Sequence, residues 1–303
     1  MVSSPQPFLA SQLSVSAIVA AVDRVRKTVP TSVALVLGIG LLIGSLLWSI
    51  PRSIDSISDV SLPILAVAAL IGVPVMIALH SLEFVLLGKI LDVSIGHQKA
   101  FSYSLVATIS NSLPIPGASL VRIHVLTRSG VTIGQATRVQ LLSAGVWAAL
   151  SFSLLGAIAL TLQPLIGVVS LALGAGAFVA SMVVMRSVGG RHLAELVVIK
   201  MLIAVADSTR YFFVLAAIGV KATWLSSFTL STAGLLTSIV GIFPAGIGLR
   251  EGLAAVLATA VRADAADLVA ASAADRLAVT VVLALMFPFA AAHLRKISAE
   301  LDD

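Results

Sequence analysis

Apolar residues along this chain fall in long unbroken runs, without the alternation of a half-buried strand or the single stripe of an amphipathic helix. The first strong run covers residues 33–50 and is closed by Pro51. Five more cover 62–87, 139–162, 165–185, 193–220 and 268–292. Each is close to the roughly 20 residues a helix needs to cross a bilayer. The run 62–87 exceeds that length and predicts a tilted helix. Two further apolar regions are interrupted. Residues 101–127 are broken by Asn111-Ser-Leu-Pro-Ile-Pro-Gly117, and residues 224–261 by Phe243-Pro-Ala-Gly-Ile-Gly-Leu-Arg-Glu251. Proline removes a helical donor and clashes with the preceding turn, and glycine permits unwound backbone. Within lipid such a break is tolerated only where protein buries it or a cavity lines it. The expected fold is an all-α polytopic integral membrane protein, with about six full spans plus two re-entrant broken-helix hairpins.

Composition narrows the class. Of 303 residues, 59% are hydrophobic and 11% charged, against about 25% charged in an ordinary soluble domain. A soluble globule, a disordered chain and a coiled coil are excluded, and the continuous runs do not fit the alternating strands of a β-barrel. The net charge of +5 reads as an orientation signal and not as a nucleic-acid footprint. Arg24, Arg26 and Lys27 place a cytoplasmic tail at residues 1–30, with a short interfacial helix near 13–22. Lys89, Lys99, Arg122, Arg128, Arg138, Arg186, Arg191, Arg295 and Lys296 then fall on the same side. The expectation is a multi-pass protein of the cell (inner) membrane with both termini cytoplasmic. It has one transmembrane domain over 31–292 and a tail at 293–303. With no cysteine, disulfides and thiolate chemistry are excluded. His80 and Glu83, like His192 and Glu195, have an HxxE spacing without a second histidine nearby. No metal, cofactor or catalytic residue is expected.

The two broken regions are related. Pro114-Ile-Pro-Gly-Ala-Ser-Leu-Val-Arg122 resembles Pro244-Ala-Gly-Ile-Gly-Leu-Arg250. Upstream, a constant offset of 127 sets His80 on Asp207, Glu83 on Arg210 and Phe101 on Phe228, one residue different from the offset that matches Arg122 to Arg250. Repeat one covers about 62–162 and repeat two about 193–292. Charge placement starts them on opposite sides, as in secondary transporters, whose interrupted helices mark a midplane site. The alternative is chance likeness between apolar segments.

On these motifs the chain resembles the flippase-like membrane domain of lysylphosphatidylglycerol synthases and the stand-alone membrane proteins built from it. The carriers are Asn111 to Gly117 with Arg122, Phe243 to Glu251, and Asp275-Arg276 in the last span, and the likeness extends over about 30–292. It implies about eight membrane helices and the moving or handling of a lipid or lipid-linked substrate. The synthase reaction, which resides in a separate soluble domain, does not carry over. Where the family commonly has an arginine, this chain has Ser143-Ala-Gly-Val-Trp147.

Ionisable residues at membrane depth face the bundle interior. Lys200, Asp207 and Arg210 share a helical face, as do His80 and Glu83. The repeat alignment predicts a charge network of His80, Glu83, Asp207, Arg210, Asp275 and Arg276, with Glu83 meeting Arg210 and His80 meeting Asp207 across a pseudo-two-fold axis. It serves either gating or proton linkage, or only neutralises buried charge. Arg122 and Arg250 each follow a break, where helix N-termini favour anions and a guanidinium adds a fork for phosphate. The expected substrate site is therefore Arg122, Arg250 and Glu251 with the break residues Asn111, Pro114, Gly117, Pro244, Gly246 and Gly248. Glu251 is placed to pair with Arg250 or carry a coupling proton. The competing reading has Arg250 and Glu251 anchoring the hairpin tip and Arg122 snorkelling. The functional expectation is a flippase-like transporter of an anionic lipid or lipid-linked substrate. The alternatives are a scaffold or accessory subunit beside an enzyme of a lipid or glycan pathway and, behind it, an intramembrane lipid-modifying enzyme. No nucleic acid is expected as partner.

Overall fold

Pro63 lies in the first turn of α1 (Leu62–Ile90), where its missing N–H costs nothing, and Pro74 lies within the helix. The helix stops at Asp92, which is left-handed (φ 56), while Val93 N–H donates to the Gly88 carbonyl at 2.9 Å, a Schellman-type end. α2 (His97–Ser110) and α3 (Gly117–Arg128) follow, separated by the first break. α3 ends at Gly130 (φ 92), and Val131 N–H returns to the Leu126 carbonyl. Thr132 and Gln135 form a capping box that starts α4 (Ile133–Leu162). Gln163 alone turns the chain into α5 (Pro164–Val184). Next come α6 (Gly190–Ala217), α7 (Trp224–Val240), α8 (Leu249–Ala260) and α9 (Ala265–Asp302). The computed structural model describes residues 60–110, 117–184, 189–240 and 248–302. The tail at 1–30 and the expected span 33–50 lie outside them, as do the break residues Asn111, Pro114, Pro244 and Gly246.

The described residues are all-helical, and one order of elements occurs twice. The stop at Asp92 is matched 127 positions later by Gly219 (φ 77), with Val220 N–H returning to Leu215. α2 and α7 start at the same offset. Past the breaks the offset becomes 132. Gly130 matches Arg262 (φ 52), Val131 matches Ala263 (which bonds to Ala258), and α4 and α9 start 132 apart. The match of Arg122 to Arg250 at 128 is thereby corrected. By helix register Arg122 stands one turn deeper into its helix than Arg250 does. α1 and α6 run antiparallel: Ser61 N–H bonds the Ala217 carbonyl at 2.7 Å, and Glu83 meets Lys200. Arg250 lies in the first turn of α8, as expected of a residue that follows the break, with Leu249 and Glu251 also helical. One boundary differs from expectation: the last helix continues through residue 302, across the expected tail.

Two cores are each centred on one copy and completed by the other, which supplies Leu196 to the first and Ala68 to the second. Phe84, Leu87, Leu126, Val139, Leu142 and Leu196 pack in the first. Tyr211, Leu215, Leu230, Ala254 and Leu268 pack in the second. The exterior is apolar: Leu70, Ile71, Leu165, Val168, Val179, Leu277, Val281 and Phe289 are exposed, whereas Glu83, Glu251 and Asp275 are buried. Charge inside and hydrocarbon outside is the reverse of a protein that faces water. Among the described residues, four helices are long and apolar enough to cross a membrane: Leu62–Ile90, Ile133–Ala157, Pro164–Val183 and Ala265–Phe289. α6, the expected span 193–220, is 28 residues long. Its charged residues, among them Lys200, Asp207 and Arg210, dilute its apolar character.

α4 and α5 approach closely through glycine. A Cβ on Gly167 would lie 2.5 Å from the Leu160 backbone nitrogen, and one on Gly156 would lie 2.8 Å from that of Leu171. Small residues at such contacts let helix backbones meet where lipid offers no hydrophobic drive for association.

Candidate functional site

The antiparallel crossing of α1 and α6 brings charge from both copies into the interior. In the first copy the Glu83 carboxylate, with no exposure, is the hub. Its Oε1 accepts from Arg122 Nη1 at 3.0 Å and Ser143 Oγ at 2.5 Å, and pairs with Lys200 Nζ at 2.9 Å. Oε2 faces His80 Nδ1 at 3.2 Å. Five residues thus converge from α1, α3, α4 and α6. Aromatic rings flank the cations: Lys200 Nζ lies 5.3 Å from the Trp147 ring and the Arg122 guanidinium 5.9 Å from Phe84, within cation–π range.

The second copy has a matching cluster with the polarity of its hub reversed. Arg210 replaces Glu83 at the crossing. It bonds Asp207 at 2.5 Å and also bonds Asp275. Asp275 accepts from Arg250 Nη2 at 3.0 Å through its other oxygen. In helix register Asp275 corresponds to Ser143, so the α4 hydroxyl that serves Glu83 has become the α9 carboxylate that serves Arg210. The Tyr211 ring lies between the two arginines, 5.0 and 5.2 Å from their guanidiniums. Room for these long side chains comes from glycine. A Cβ on Gly72 would sit 2.7 Å from Arg210 Cδ, and one on Gly234 would sit 3.5 Å from the Arg250 guanidinium.

A third group closes the start of α8. Gly248 is left-handed (φ 77), and its N–H donates to Glu251 Oε2 at 2.9 Å, the reach-back half of a capping box. Arg276 pairs with Glu251 at 2.9 Å, and Ser272 Oγ donates to it at 3.2 Å. Expected pairings are corrected here. Glu251 takes Arg276 and not Arg250, and Arg250 takes Asp275. Glu83 meets Lys200 and Arg122 instead of Arg210, and Asp207 holds Arg210 instead of His80. The reason is register. α1 and α6 cross antiparallel, so residues related by the repeat lie apart along the pair, Glu83 opposite Lys200 and Arg210 opposite Gly72.

The six network residues are therefore distributed over three groups, two of them joined to the expected arginines Arg122 and Arg250. Gly117 begins α3, about three turns before Arg128. Ser143, Trp147, Lys200, Tyr211 and Ser272 complete the groups and were not among the expected site residues. Two signals pointed to some of them: Lys200 shares a face with Asp207, and Ser143 and Trp147 bound the stretch that departs from the family pattern. Among the described residues no group of three His, Cys, Asp or Glu could hold a metal ion. Compared with known proteins, the sequence matches no family model and no curated protein.

Proposed function

We propose that this chain is a flippase-like membrane transporter, related to the membrane domain of lysylphosphatidylglycerol synthases, that moves or handles an anionic lipid or lipid-linked substrate across the inner membrane. One observation supports the reading: the first helices of two similarly ordered units, α1 and α6, cross antiparallel and enclose buried ion clusters beneath an apolar exterior. Inverted repeats with interrupted helices place substrate at the interface of the copies, near the midplane. We read both broken units as re-entrant. α3 and α8 have 12 residues each, about 18 Å at 1.5 Å per residue, well short of the ~30 Å hydrocarbon core. Six spans, one of them at 33–50, and cytoplasmic termini complete the arrangement.

The test is translocation. The full chain is reconstituted into liposomes carrying a trace of fluorescent phosphatidylglycerol, and the fraction quenched by an impermeant reductant is followed over time. The expected result is quenching of inner-leaflet probe, beyond the roughly half that is quenched in protein-free vesicles. Quenching no faster than in protein-free vesicles, by protein that remains folded, overturns the transport reading.

A further inference from the structure

The two matching clusters differ in charge balance. In the second, Arg210 and Arg250 face Asp207 and Asp275, two cations against two carboxylates. Arg276 and Glu251 are one against one. In the first, Arg122 and Lys200 face Glu83 alone. His80 adds a donor and no negative charge. The imbalance is buried: Arg122 is 9% exposed and Lys200 5%. An unmatched buried charge is costly.

Hydrogen bonding shows the same deficit. A carboxylate offers about four acceptor sites. Glu83 engages Arg122, Lys200 and Ser143 through one oxygen and His80 through the other. Arg122 Nε and Gln140 Nε2 remain buried without an acceptor among the described residues. Gln140 lies one turn before Ser143, on the same face of α4. Unpartnered guanidinium nitrogens also occur at Arg210 and Arg250, so the unmet donors do not distinguish the copies. The charge does.

We propose that Arg122, Lys200 and Gln140, with Glu83 as their organiser, form an anion site in the first copy. Its ligand is an oxyanion, either the phosphodiester of a lipid headgroup or a free inorganic phosphate. The second cluster is closed by its own carboxylates and takes none. The substrate side of this inference rests on the proposed handling of an anionic lipid; the site itself does not.

The full chain in phosphatidylcholine nanodiscs is titrated with phosphatidylglycerol and, separately, with inorganic phosphate, by native mass spectrometry and by thermal unfolding. Wild type is expected to bind one anion and to unfold at higher temperature when it is bound. Lys200→Gln leaves Arg122 and Glu83 paired and is expected to lose about tenfold in affinity, the scale of one charged hydrogen bond. Glu83→Gln removes the competing carboxylate and is expected to bind tighter, with stability that now depends on the anion. Arg250→Gln is expected to lower stability without lowering affinity. Arg191→Gln, at a side chain 87% exposed, controls for loss of surface charge. Binding by neither probe overturns the proposal. Weaker binding by Glu83→Gln, or an equal loss in Arg250→Gln, also overturns it. A response to phosphatidylglycerol alone assigns a lipid source, and a response to both assigns the phosphate group. A site that binds while wild type moves no lipid refutes the transport reading and leaves the anion site standing.

Discussion

Asp275 holds two guanidiniums from different helices, Arg210 of α6 and Arg250 of α8. A lone buried charge costs far more than a balanced pair, and removing one partner of a buried pair typically costs about 3–5 kcal/mol. Asp275→Asn is therefore expected to destabilise by at least that amount in thermal unfolding in detergent. The double change with Arg250→Gln is expected to cost less than the sum of the two, because the second removes a charge the first had stranded. Gly248 makes a separate point. Its φ of 77 belongs to the left-handed region, where a side chain costs roughly 1–2 kcal/mol. Gly248→Ala is expected to lose about that much stability and to loosen the start of α8, read as faster amide exchange over the first turn of that helix.

Between helices, the α4–α5 contact yields a matched pair of expectations. Gly167→Ala puts a methyl 2.5 Å from the Leu160 backbone, which cannot yield as a side chain does. The helices must separate, at about 1–3 kcal/mol. At Gly176, in the same helix, nothing lies within 4 Å, so Gly176→Ala is expected to stabilise by about 0.4–1 kcal/mol. Thermal unfolding of the two variants side by side is the check; the same sign for both removes the close-packing argument. Helices of this kind are legible in sequence because hydrocarbon solvent demands long apolar runs, and the runs at 62–87, 139–162 and 165–185 returned as α1, α4 and α5. Repeat order was legible too, through the offset of 127. The pairings were not. Sequence likeness sets Glu83 on Arg210, but contact depends on how α1 crosses α6, and an antiparallel crossing puts Lys200 opposite Glu83. Ser143 and Trp147 were hidden for a related reason. A hydroxyl or an indole on an apolar helix has no signature until the facing charge is known.

Across the whole molecule, the absence of cysteine makes a direct orientation experiment available. Ser129 and Thr259 are exposed residues near the ends of α3 and α8. On the proposed arrangement they face opposite sides of the membrane. Ser129→Cys is expected to react with an impermeant maleimide only from the cytoplasmic side, and Thr259→Cys only from the other. Labelling of both from one side would show that the copies share an orientation. The single-residue turn at Gln163, and the glycine contacts that lock α5 onto α4, then acquire a topological meaning. On this reading each four-helix copy crosses the bilayer twice, at its first and last helix, and so ends on the side where it began. Two such copies joined directly would point the same way. α5 belongs to neither copy and adds one crossing, so it fixes the parity of the chain. The glycine contacts hold that odd crossing against α4, the last helix of the first copy.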